Sequence, residues 1–143
     1  MTTNISEIKE FTSIIIGAYK KEGIPLNLTI EDLKIIDAKI HDLNEEGFLD
    51  IKNPFSESFQ EHVFMYGCYL GETLLKSIPN SKWVFEEDFT YFMNIKMEIG
   101  GFIVALPFQR TMKSIQNPKE YDLYSYAQYC KNKIIEINNE PKS

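Results

Sequence analysis

The chain has 143 residues, 15 of them Lys or Arg and 21 Asp or Glu, for a formal net charge of −6. One domain of this length buries roughly 68–70% of its unfolded surface, so its core needs neither a disulfide nor a metal to hold it. The acidic balance, with no cluster of Lys and Arg, argues against a nucleic-acid partner and suits a basic protein partner better.

Residues 4–22 carry Ile5, Ile8, Phe11, Ile15 and Ala18 at helical spacing, with Gly23 and Pro25 placed to stop the run. A helix is predicted, and the β-branched cluster 12–16 leaves a strand as the alternative. A second helix follows, with Thr29 as its cap, Glu31 and Asp32 in its first turn and a stripe of Leu33, Ile36, Ile40 and Leu43. It ends near Gly47. The linker 48–56 contains Asn53-Pro54, which disfavours helix at Asn53.

Residues 58–77 (SFQEHVFMYGCYLGETLLKS) read as a central, mostly buried helix opened by a capping box of Ser58 and Glu61 and closed by Pro79. Phe59, Val63, Leu70 and Leu74 share an apolar arc with Gly67 and Gly71, flanked by Phe64 and Leu75. Each glycine costs a helix about 1 kcal/mol relative to Ala, which implies that another element approaches too closely there for a side chain.

After Asn80 the hydrophobic period changes to two. Residues 82–87 are a predicted strand, and in residues 91–99 Met93, Ile95, Met97 and Ile99 alternate with Asn94, Lys96 and Glu98 as a half-buried strand does. Gly100-Gly101 reads as a two-residue hairpin turn. That turn pairs Ile99 with Phe102, Met97 with Val104 and Ile95 with Leu106, all on one face lying on the central helix. Pro107 then opens a short helix (PFQRTMKSIQ) that Asn117-Pro118 ends. In a last helix, residues 120–137, Leu123, Ala127, Cys130, Ile134 and Ile137 form the core stripe, and residues 138–143 are an expected frayed tail. The expected fold is therefore one α+β domain over residues 1–143: a three-stranded antiparallel meander packed on a long central helix, with two helices before it and two after.

A helix carrying Gly71-Glu72, a strand opening on Trp83, a hairpin ending in Leu106-Pro107 and a short basic helix with Lys113 together resemble an uncharacterised bacterial family, domain of unknown function 3806. The resemblance covers roughly residues 66–113, with Lys113-Ser114 standing where the family's pattern has a basic pair. It implies a bacterial α+β domain and brings no activity and no catalytic residues.

Cys68 and Cys130 lie among apolar neighbours and read as reduced core thiols. The first residues show no basic region leading into an apolar run, and no uncharged run approaches the roughly 20 residues that span a bilayer, so a soluble, cytoplasmic protein is expected. Two His and two Cys without metal-ligand spacing, and no phosphate-binding glycine loop, give no reason to expect a metal or cofactor. Glu61, Glu72 and Lys76 fall opposite the apolar arc, so Glu72 with Lys76 reads as a solvated i,i+4 pair rather than a buried catalytic acid. His41, four residues after Asp37, reads as half of a surface pair rather than a general base.

Two surface features remain. Tyr121, Tyr124, Gln128 and Ile135 form a second stripe on the last helix, read as rim packing against the first helix or as anchors of an interface. Glu86-Glu87-Asp88, with Asp42, Glu45, Glu46 and Asp50, would present negative charge to a basic partner unless it is simply solvated surface. The expected function is a non-enzymatic protein-binding domain, of the immunity type that neutralises a bacterial toxin. The alternatives are an enzyme with a cleft between sheet and helices using Glu72 or His41, and a homo-oligomeric structural domain.

Overall fold

The structure is a computed structural model and describes residues 4–47, 49, 52–85 and 91–140. Its elements in chain order are α1 (Ile5–Lys21), α2 (Leu33–Glu45), α3 (Glu57–Ser77), β1 (Lys82–Val84), a 3-10 turn (Phe92–Asn94), β2 (Lys96–Ile99), β3 (Ile103–Ala105), α4 (Pro107–Gln116) and α5 (Leu123–Asn138). This is an α+β fold. The strands pair antiparallel in the order β1-β2-β3, so that among the described residues β1 and β3 are the edges.

α3 is the centre, with α1 and α4 packed along it, the sheet resting on it through β1 and β2, and α5 set mainly against α2. Every residue from Tyr66 to Leu74 is buried, because covering elements lie on both sides of the helix and leave no solvent face at its middle. The two glycines form the expected notch, and two elements share it. A Cβ on Gly71 would come within 2.1 Å of the Trp83 ring of β1, and one on Gly67 within 2.4 Å of the Phe108 ring of α4. Phe108 in turn stacks on Phe64 and Trp83 and meets Phe92 edge-on.

The caps differ from expectation in three places. Ser56, not Ser58, caps α3: its hydroxyl accepts from the Phe59 amide, which leaves Ser58 and Glu61 exposed inside the helix. Thr29 does accept from the Asp32 amide, but it closes a turn ahead of the helix, and regular α2 begins at Leu33. Asp122 caps α5, which therefore starts at Leu123 rather than at Glu120. In α1 the buried stripe is Ile8, Thr12, Ile15 and Tyr19, whereas Ile5 and Ala18 are exposed.

The hairpin holds the largest correction. Gly100 and Gly101 have φ of +62° and +81°, and the Phe102 amide donates to the Ile99 carbonyl at 3.1 Å, as a two-residue primed turn requires. Beyond the turn, however, Ile99 pairs Ile103, Glu98 pairs Val104 and Met97 pairs Ala105. Phe102 is an extra residue on its strand, a bulge, and one extra residue exchanges the faces of everything after it. Ala105 is buried where Val104 was expected, and Phe102 and Val104 are 63% and 65% exposed. The other half of the pattern holds: Met93, Ile95, Met97 and Ile99 are all buried, although only residues from Lys96 onward are strand and Phe92–Asn94 winds as a 3-10 turn. Residues 86 and 87 of the predicted first strand lie outside the described residues.

Candidate functional site

Glu72 is the residue most misjudged from sequence. It is buried, and Lys76 is turned away to donate to the Asn27 carbonyl. One carboxylate oxygen accepts from Lys9 Nζ of α1 at 3.1 Å and the other from Trp83 Nε1 of β1 at 3.3 Å. With both oxygens engaged, the carboxylate ties α1 and β1 to α3. Gly71, Glu72 and Trp83 meet in this one contact.

Asp37 does not pair with His41 either. Its two oxygens accept from the amides of Leu123 and Tyr124 at 2.8 and 3.0 Å, which anchors the N-terminus of α5 on α2. Burial pushes this carboxyl above its ordinary range, against the opposing pull of the two backbone donors. His41 instead faces Glu45 at 3.6 Å beside a shallow dent of about 200 Å³. Cys68 and Cys130 are both free and buried, and burial raises both thiols.

The predicted tyrosine stripe is split between two neighbours. Tyr124 is half-buried with Lys34 of α2 4.5 Å above its ring, so the rim packing is against α2 and not α1. Tyr121 points the other way, toward α4, with Arg110 5.5 Å and Lys113 5.8 Å from its ring. Gln128 donates to Asn132 on its own helix, and Ile135 is exposed. Asp42, Glu45 and Glu46 lie at the end of α2, whereas Glu86, Glu87, Asp88 and Asp50 lie outside the described residues.

Two concavities stand out on the described surface. A cleft of about 530 Å³ between α1 and α3 is lined by the rings of Phe11, Phe64, Tyr91 and Phe92, with Glu57 and Glu61 beside them. The second is a groove of about 320 Å³ between β3, α4 and α5, where Val104, Arg110, Lys113, Tyr126 and Tyr129 converge. The bulge at Phe102 makes this groove, since it turns Val104 outward beside Tyr129, itself 62% exposed. The Arg110 guanidinium lies 4.4 Å from the centre of the Tyr126 ring, and its Nε is shut off from water with no acceptor. Burial pushes the Tyr126 hydroxyl and the Cys130 thiol up, with Arg110 pulling both the other way.

The sequence pattern marks Val104 and Leu106 as inward sheet residues, Cys130 as core and Lys113 as part of a short basic helix, and does not bring the four together. Val104 was assigned to the other face through the two-residue register. Tyr126 and Tyr129, three apart and therefore on one side of a helix, carried a signal beside the stripe that was chosen. Among the described residues no group of three His, Cys, Asp or Glu is placed to hold a metal, and no helix is long and apolar enough to cross a membrane. Comparison of the chain with family models, with curated proteins and with solved structures returned no match.

Proposed function

We propose that this protein is a non-enzymatic protein-binding domain and that the face formed by β3, α4 and α5 is the surface it offers. One observation carries the reading: the bulged edge strand exposes Phe102 and Val104, with Tyr129 facing the same groove as Val104, in a fold that buries its other inward-pattern residues on the sheet. An unpaired strand edge with apolar side chains beside it is a surface that soluble proteins blunt unless something docks there. Tyrosine and arginine at the centre of such a patch are the residue types that dominate binding energy in interfaces.

The chemistry available elsewhere favours binding over catalysis. Glu72, the expected acid of the enzymatic alternative, spends both oxygens on Lys9 and Trp83, and His41 sits at a shallow polar dent. The test is a comparison of three tagged proteins in their own host: wild type, Val104→Glu, and Tyr129→Ala. A partner retained by wild type and lost from both variants, each keeping the wild-type circular dichroism spectrum, is the expected result. Identical retention by all three would remove the face from consideration.

A further inference from the structure

The groove carries charge opposite to that of the molecule around it. The chain has 21 acidic residues against 15 basic ones, yet among the described residues no carboxylate lines the groove, while Arg110 and Lys113 both face it. Arg110 is held by aromatic faces, with Tyr126 and Tyr121 at 4.4 and 5.5 Å, and not by an acid. No carboxylate among the described residues forms an ion pair with it. Its Nε is buried with no acceptor among the described residues, so one of its donors is dehydrated and unpaired and the guanidinium is held in place by the rings. The acceptor that matches a guanidinium fork is a planar carboxylate, whose two oxygens take two parallel N–H bonds.

The geometry beside Arg110 selects the form in which that carboxylate arrives. β3 has β2 on one side and no strand on the other among the described residues. An extended chain laid along such an edge gains backbone pairs while its alternate side chains reach the flanking pockets. Resting on the protein-binding reading above, we infer that the groove takes an extended acidic segment of a partner protein, running along β3 with an Asp or Glu side chain on Arg110. Lys113, exposed at the groove's rim, adds attraction for further acidic residues and steers their approach.

A phage-displayed library of random dodecapeptides, selected on the immobilised full chain, supplies the probe. The selected clones should be rich in Asp and Glu set among β-branched or aromatic residues. A peptide made from the commonest clone, with both ends blocked so that only side-chain carboxylates remain, should bind wild type. It should lose about tenfold or more in affinity on Arg110→Gln, and the same on acid-to-amide replacement in the peptide, with little further loss when both changes are made. Arg110→Glu should recover binding to a peptide with Lys in place of the acid, a gain that a misfolded variant could not produce. Basic or uncharged clones, an empty selection, or equal affinity for Arg110→Gln would each overturn the inference. So would a concentration-dependent dimer in sedimentation that Val104→Glu dissolves, since the occupant would then be a second copy of this chain. If Val104→Glu abolishes binding and Arg110→Gln does not, the acidic partner is wrong while the protein-binding face stands.

Discussion

The sheet and the helices around it are tightly filled on one side and open on the other. Toward α3, the Trp83 and Phe108 rings occupy the space over Gly71 and Gly67 that a methyl group would need, and the buried Glu72 finds a donor for each oxygen. Toward α5, Val104 and Tyr129 stand in solvent, and a buried Arg110 nitrogen has no acceptor. Interiors are packed to crystal-like density because each lost contact weakens the fold. The contrast between the two sides of the sheet therefore separates contacts that hold the domain together from a surface that contributes little to the isolated fold.

The sharpest way to break this distinction is to damage the closed side first. Phe108→Ala should cost about 3–5 kcal/mol, the usual loss for deleting a fully buried ring, read from the urea midpoint. A loss below about 1 kcal/mol would mean that α4 is not seated in the notch. Gly71→Ala comes next, at a net cost of about 1–3 kcal/mol, since its Cβ would overlap the Trp83 ring by more than a gain of about 1 kcal/mol in helix propensity offsets. Pairing Gly71→Ala with Trp83→Leu should cost less than the sum of the two single changes, because the smaller side chain makes room. Glu72→Gln should cost about 1–2 kcal/mol, as the amide cannot accept from both Lys9 and Trp83. Lys9→Met should cost less than about 1 kcal/mol, because the Lys9 side chain is 59% exposed. Equal losses from the last two would assign Glu72 to the ion pair rather than to the indole.

How far each side could be read from sequence follows from the same contrast. The notch was legible because two glycines inside an apolar arc have no local reason to be there. The alternation from Met93 to Ile99 marked the inward residues correctly even where the chain winds as a 3-10 turn, since burial and not backbone type sets the pattern. The open side was hidden by one residue. The primed turn at Gly100-Gly101 formed as its sequence requires, but nothing in FIVAL announces that Phe102 is left over, and a single bulge reverses the faces of Ile103 to Ala105. Glu72 was misplaced for a different reason. A helical wheel shows which residues share a side, not how many sides neighbouring elements cover, and α3 is covered on both.

Asp37 offers a pH-dependent test of the joint between α2 and α5. Burial holds its folded-state pKa above the ordinary value of 3.8, so the folded protein keeps this proton over a range where the unfolded chain has released it. Stability contributed here is thus fully present below that value and is lost as pH rises through the raised one. Relative to Asp37→Asn, wild type should lose stability as pH is raised from about 3.8, with the difference flat once Asp37 is ionised in both states. A difference that grows with pH would show that the two backbone donors from Leu123 and Tyr124 outweigh burial.

The smallest expected effect is the one that sharpens the comparison most. If the groove is kept open for a partner, its residues contribute little to the isolated fold, and changing them should be nearly silent in unfolding. Val104→Thr should stay within about 0.5 kcal/mol of wild type, as exposed positions do. Arg110→Met is the more searching case. It removes the stacking on Tyr126, worth about 0.5–1 kcal/mol, but also removes a buried donor whose lack of an acceptor costs about 1–3 kcal/mol. The balance should leave stability unchanged or slightly raised, the opposite sign to Glu72→Gln on the closed side. A substantial loss in Arg110→Met would mean that the guanidinium is a structural strut, and the two sides of the sheet would no longer differ in kind.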